Sequence, residues 1–166
     1  VLPQREAPTT STKQTKFPIL WTYYGLEDID DYESSLGYII RITDGSFIVI
    51  DGGEWFPEDS KSNAVVKRMY DIMKKQSPDP NNIVISAWII THAHNDHAGA
   101  FWTFEREYGE LSSINLKQVI YNFPERAKTN GADGNYQCSI VEAALNFASK
   151  PEILKVHTGN VLYYPG

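Results

Sequence analysis

Cysteine is almost absent from this 166-residue chain: Cys138 is the only one. A lone cysteine cannot close an internal disulfide, so the fold must stand on packing or on metal, and the redox compartment stays open. Long apolar runs are also missing. Nothing reaches the eighteen or so residues that a membrane-spanning helix needs, and 42% hydrophobic with 22% charged residues is the balance of a globular domain. Positive charge is the minority sign, fifteen Lys and Arg against twenty-one Asp and Glu, a formal net charge of −6. That balance repels a phosphate backbone, and no basic patch reverses it locally, so nucleic acid is not expected as a partner. An initiating methionine and a basic-then-apolar leader are absent too, and the stretch from Val1 reads as a processed form or as a recombinantly expressed piece.

What is present begins after a polar arm. Residues 1–16, including Pro3, Pro8 and the run from Thr9 to Lys16, offer little apolar surface to offset the entropy of ordering and read as a flexible arm or linker. Residues 17–166 read as one domain unit. Ile19 to Tyr24 suggests an opening strand. Leu36 to Thr43 and Phe47 to Ile50 suggest a hairpin turning at Asp44-Gly45, and Asp51-Gly52-Gly53 ends it where the glycines permit positive φ.

A helix capped by Ser60 or Ser62 follows, to about Lys75, with Val65, Val66, Met69, Ile72 and Met73 on one face. The run Ile83 to Ile90 is apolar without alternation and predicts a central strand covered on both faces. A second helix carries Phe101, Trp102 and Tyr108 and ends near Gly109. A strand over Leu116 to Phe123, a helix over Asn135 to Lys150, and two short strands, Ile153 to Val156 and Val161 to Tyr164, complete the expectation. Strands first, then alternating helix and strand, describe an α/β fold of α+β type, a mixed sheet with helices on one face.

Three of the four histidines fall within six positions, in Thr91-His92-Ala93-His94-Asn95-Asp96-His97-Ala98-Gly99, directly after the most apolar strand. In an extended segment His92 and His94 point to one side, so their imidazoles can close on one cation. Asp96 and His97, entering the next helix, can face a second cation close by. Taken alone, Asp96 would serve equally well as a helix cap and each histidine as a polar loop residue; the cluster is what points to metal.

The segment resembles the His-x-His-x-Asp-His motif of the metallo-β-lactamase superfamily. The hairpin ending in Asp51-Gly52-Gly53, the following helix, the apolar strand and the Gly159-Asn160-Val161-Leu162 segment come in that family's order, covering about Leu36 to Gly166. The resemblance implies half of an αββα four-layer sandwich. It implies that His92 and His94 ligate a first metal and Asp96 and His97 a second, that Asp96 also orients the nucleophile catalytically, and that Asp51 supports the site without binding metal. It implies a hydrolase in which metal-activated water attacks an ester, lactone, thioester, amide or phosphodiester of a small-molecule substrate. Imidazole at His94 favours zinc, two per complete domain, over iron or manganese.

The family's three further ligands would follow Pro165-Gly166. The resemblance therefore implies that this chain carries the first half of the site, that it holds metal weakly or not at all by itself, and that its bare sheet face is covered by the C-terminal half of the domain or by a second copy in a homodimer. The alternatives are a non-catalytic scaffold or binding module of the same fold and a mononuclear iron dioxygenase. Other residues invite blander readings: His157 as a surface residue, Cys138 as a small buried hydrophobe, Phe101, Trp102 and Phe104 as core, and Glu27 to Asp31 as a solvated turn lacking the glycine of a calcium loop.

Overall fold

A computed structural model describes residues 18–24, 36–53, 59–91, 94–123 and 133–164. The chain opens as an antiparallel meander of β1 (Ile19–Tyr24), β2 (Leu36–Arg41) and β3 (Phe47–Asp51). The expected Asp44-Gly45 turn joins the last two. Gly45 has φ +91° and its N–H donates to the Ile42 carbonyl at 3.0 Å, while Asp44 Oδ1 accepts from the N–H and hydroxyl of Ser46. From there connections cross over: α1 (Asp59–Gln76) leads to β4 (Ile83–Ile90), α2 (Asn95–Tyr108) to β5 (Ile114–Leu116) and β6 (Gln118–Tyr121), and α3 (Asp133–Asn146) to β7 (Glu152–Lys155). Strands β4 to β7 run parallel to β3, giving one mixed sheet in the order β1-β2-β3-β4-β6-β7, with β5 also on β4. No described helix is long and apolar enough to cross a membrane.

The helices cover one face of this sheet. Val65, Val66, Met69 and Met73 of α1 and Phe101 and Phe104 of α2 are fully buried with Ile39, Val49 and Trp88 beneath them. The Trp88 indole meets Phe101 and Phe104 edge-on, at centroid distances of 5.1 and 5.2 Å, and Tyr70 stacks on Tyr108 at 4.4 Å where α1 meets α2. Trp102 is only half-buried against this core.

The central strand departs from expectation. A bulge interrupts its register, and apolar residues stand on both of its faces. Phe47 pairs with Ile85 but Ile48 pairs with Ala87, so Ser86 is an extra residue in β4. Ile83 and Ile85 face the helices before the bulge and Trp88 and Ile90 after it, while Val84 and Ile89 lie half-buried on the other face. The neighbouring strand breaks at the same level. The predicted single strand from Leu116 is β5 and β6, interrupted at Lys117, whose N–H donates to the Ile85 carbonyl at 2.9 Å.

The end of the chain differs as well. Residues 161–164 form no strand; Val161 and Tyr163 are 67% and 90% exposed, and only Tyr164 anchors, its hydroxyl donating to Gln118 Oε1 at 2.7 Å. Among the described residues no strand lies beside this segment, and an extended segment without one gains no ladder, whatever its side chains prefer.

Glu105, on α2, carries a testable electrostatic cost. Burial pushes its carboxyl above the usual glutamate range, only partly relieved by a hydrogen bond from Asn146, and Glu110 adds to the rise while Arg106 opposes it. A raised folded-state pKa means that the folded protein binds this proton more tightly than the unfolded chain does. The cost is present above the folded value and vanishes as pH falls below the ordinary 4.5. Glu105→Gln is therefore expected to melt at higher urea than the parent at pH 7, with the gap narrowing towards pH 4.5; an equal gap at both values would refute the assignment.

Candidate metal centre

The parallel pairing of β3 and β4 brings their carboxyl ends side by side, the place where open α/β sheets form ligand sites. β3 ends in Asp51, buried and at φ +53°, a left-handed conformation that aspartate tolerates better than most residues. Its carbonyl oxygen accepts from the buried Trp88 Nε1 at 2.9 Å, tying the strand end to the core. Gly52 follows because a Cβ there would lie 2.9 Å from that of Ala100, and the Gly53 carbonyl accepts from the Ala100 N–H at 3.1 Å. The two glycines thus seat the strand end directly against the first turns of α2.

That seating places one carboxylate among three partners. Asp51 Oδ1 accepts from the Thr91 N–H at 2.8 Å; Oδ2 accepts from the Thr91 hydroxyl at 2.6 Å and lies 3.0 Å from His97 Nδ1. The hydroxyl proton of Thr91 is committed to Asp51, and a carboxylate cannot donate. The network therefore assigns the imidazole proton to Nδ1, with the Thr91 oxygen 3.3 Å away as a secondary acceptor. His97 Nε2 lies 3.5 Å from Asp96 Oδ2 in the same helical turn, so an imidazole nitrogen and a carboxylate oxygen stand side by side. By donor chemistry an imidazole and a carboxylate suit a divalent metal ion, and an imidazole held through its other nitrogen by a carboxylate is the usual outer arrangement of a metal-ligating histidine.

His94 precedes α2, exposed and extended at φ −80° and ψ 161°, and its carbonyl accepts from the N–H groups of His97 and Ala98 at 3.1 and 2.9 Å. His92 lies outside the described residues, as do the side chain of Cys138 and the segment Glu27 to Asp31. Among the described residues no group of three His, Cys, Asp or Glu side chains gathers closely enough to hold a metal ion. His157 is exposed, just beyond the end of β7 and two strands away from β4. Thr91 had no role assigned from sequence; its signal was a hydroxyl residue at the junction of the apolar strand with the histidine motif.

The chain matches the sequence model of the metallo-beta-lactamase superfamily over residues 31–148, well over half its length. It belongs to the metallo-β-lactamase superfamily, which includes metal-dependent hydrolases. The mixed sheet with its helices on one face is one α layer and one β layer of that family's αββα sandwich. Among solved structures, the chain is similar to that described as unliganded yeast PDE1, with 11% identity and a TM-score of 0.42, over 92% of this chain and 47% of that one. The chain thus spans about half the length of that structure. No curated protein matches it.

Proposed function

We propose that this chain carries the first half of the active site of a zinc-dependent hydrolase acting on a small-molecule ester, lactone, thioester, amide or phosphodiester. The observation that carries the reading is the Asp51–His97 contact at 3.0 Å, which leaves His97 Nε2 facing Asp96. His92 and His94 would hold a first zinc ion, and Asp96 and His97 a second. When bound, the metal supplies Lewis acidity towards water and a carbonyl or phosphoryl oxygen. Asp51 fixes the His97 ring and its tautomer, Thr91 saturates the rest of that carboxylate, and Asp96, 39% exposed, is the carboxylate free to orient a nucleophile or take its proton.

The test is zinc titration calorimetry on the complete domain beside hydrolysis assays on those five substrate classes. Asp51→Asn gives it a sharp edge. The new amide would donate to His97 Nδ1 and move the imidazole proton to Nε2. Zinc affinity is then expected to fall about 10–100-fold, the range for outer partners of metal ligands. Nitrogen-15 spectra of His97 should report the tautomer change. An unchanged tautomer with unchanged zinc affinity would refute the role given to Asp51.

The open face of the sheet belongs to the same reading. We propose that it is covered by the second β layer of the complete domain and, when this chain is alone, by a second copy of itself.

A further inference from the structure

Two charged residues are buried among the described residues, Asp51 and Arg41. Asp51 is satisfied three times over. Arg41, the last residue of β2 on the helix-covered face opposite Phe47, is only 3% exposed, its Nε is sealed without a hydrogen-bond partner, and no carboxylate pairs with it among the described residues. A guanidinium keeps its charge in the interior, and a buried charge without a counter-charge or full hydrogen bonding is costly.

The surroundings do not relieve it. The outer end of the side chain lies beneath the contact between the β2–β3 turn and the corner after α1. A Cβ on Gly45 would come 3.6 Å from Arg41 Nη2 and 2.2 Å from Pro78 Cγ. The side-chain hydrogen bonds of Asp44, Ser77 and Asp79 run within the turns, and neither Asp44 nor Asp79 forms an ion pair with Arg41. Asp44 Oδ1 accepts from Ser46, the Ser77 hydroxyl donates to the Asp79 carbonyl, and the Asp79 carboxylate accepts from the Asn81 N–H. Lys74 and Lys75, exposed in the last turn of α1, add positive charge near the same corner.

From this buried, unpaired guanidinium walled by Gly45 and Pro78 we propose an oxyanion-binding site at the end of the sheet opposite the histidine motif, anchored by Arg41 and taking a small phosphate-like or carboxylate anion. The anion's oxygens accept from the Nη groups, a geometry that a planar guanidinium offers in pairs. The exposed Pro78 ring is the side chain that yields to admit it.

The experiment is thermal unfolding of the 166-residue chain in EDTA, so that no metal can hold the anion, at one ionic strength set by sodium chloride, phosphate or acetate. Phosphate or acetate is expected to raise the melting temperature by several degrees over chloride, saturably, and the responding salt identifies the anion class. Arg41→Met, of similar length and without charge, is expected to melt above the parent in chloride and to lose the response to either anion. The Arg41 Nε–H resonance of the parent chain provides a readout that needs no variant to fold and should shift saturably with the active anion. No response beyond chloride in the parent, or an equal response in Arg41→Met, would overturn the proposal.

Discussion

In the complete domain, His94→Ala is expected to abolish zinc binding at the first site and to lower kcat/KM at least about 100-fold, since altering even outer partners of metal ligands costs 10–100-fold. The fold should survive. His94 is exposed and its side chain makes no capping hydrogen bond to α2, so the change belongs with surface substitutions that move stability by about 0.5 kcal/mol or less. Asp96→Asn separates shape from charge at the second site. An amide has nearly the outline of a carboxylate but is a poor zinc ligand and cannot accept a proton from water. Metal content, measured by plasma emission after dialysis, should therefore fall in both variants while unfolding midpoints stay near the parent value. Wild-type turnover and full zinc content in His94→Ala would mean that the motif does not bind metal. With only His92 and His94 for one cation and Asp96 and His97 for the other, the 166-residue chain alone is expected to retain zinc weakly, because tight sites use three or four protein ligands.

Much of this arrangement could be read from residue pattern, and the failures share a cause. The Asp44-Gly45 turn, α1 and the limits of β4 follow from local chemistry: a turn dipeptide, an apolar face at helical spacing, and a strand bounded by Asn82 and Thr91. The bulge at Ser86 and the break at Lys117 do not. They are properties of the pairing between β3, β4 and the strand beyond, and neither residue type announces them. The same holds for residues 161–164, whose apolar character suggests a strand that has no neighbour among the described residues to form on. At the site, the histidine motif is visible as a cluster. The bond from Asp51 to His97 joins residues 46 positions apart and follows from the parallel pairing of β3 with β4, which no local pattern specifies.

The second large effect concerns the uncovered side of the sheet. On that face Tyr38, Ile40, Ile48, Ile50 and Ile89 are half-buried, and Leu20 at the β1 edge is 57% exposed. The segment ending at Tyr164 covers only the far end, where Ser86, Lys117, Gln118 and Glu152 line a cavity of about 340 Å³ with Tyr163 and Tyr164. Among the described residues no element covers the part built by β1 to β4, and Tyr38, Ile40, Ile48, Ile50 and Ile89 there carry no charge. At about 25 cal/mol per Å², even ~400 Å² of apolar surface removed from water contributes roughly 10 kcal/mol, enough to drive association against the loss of rotational and translational freedom. A two-fold partner is self-complementary by symmetry, so a second copy can cover the patch without any new surface. Light scattering on the 166-residue chain at micromolar concentration should accordingly report a dimer. Ile48→Lys, which sets a charge at the centre of the face and touches neither the helix-side core nor the histidine motif, should return it to monomer with an unchanged helical signal. A parent chain that stays monomeric and folded at that concentration would show that the face tolerates water and needs no second layer.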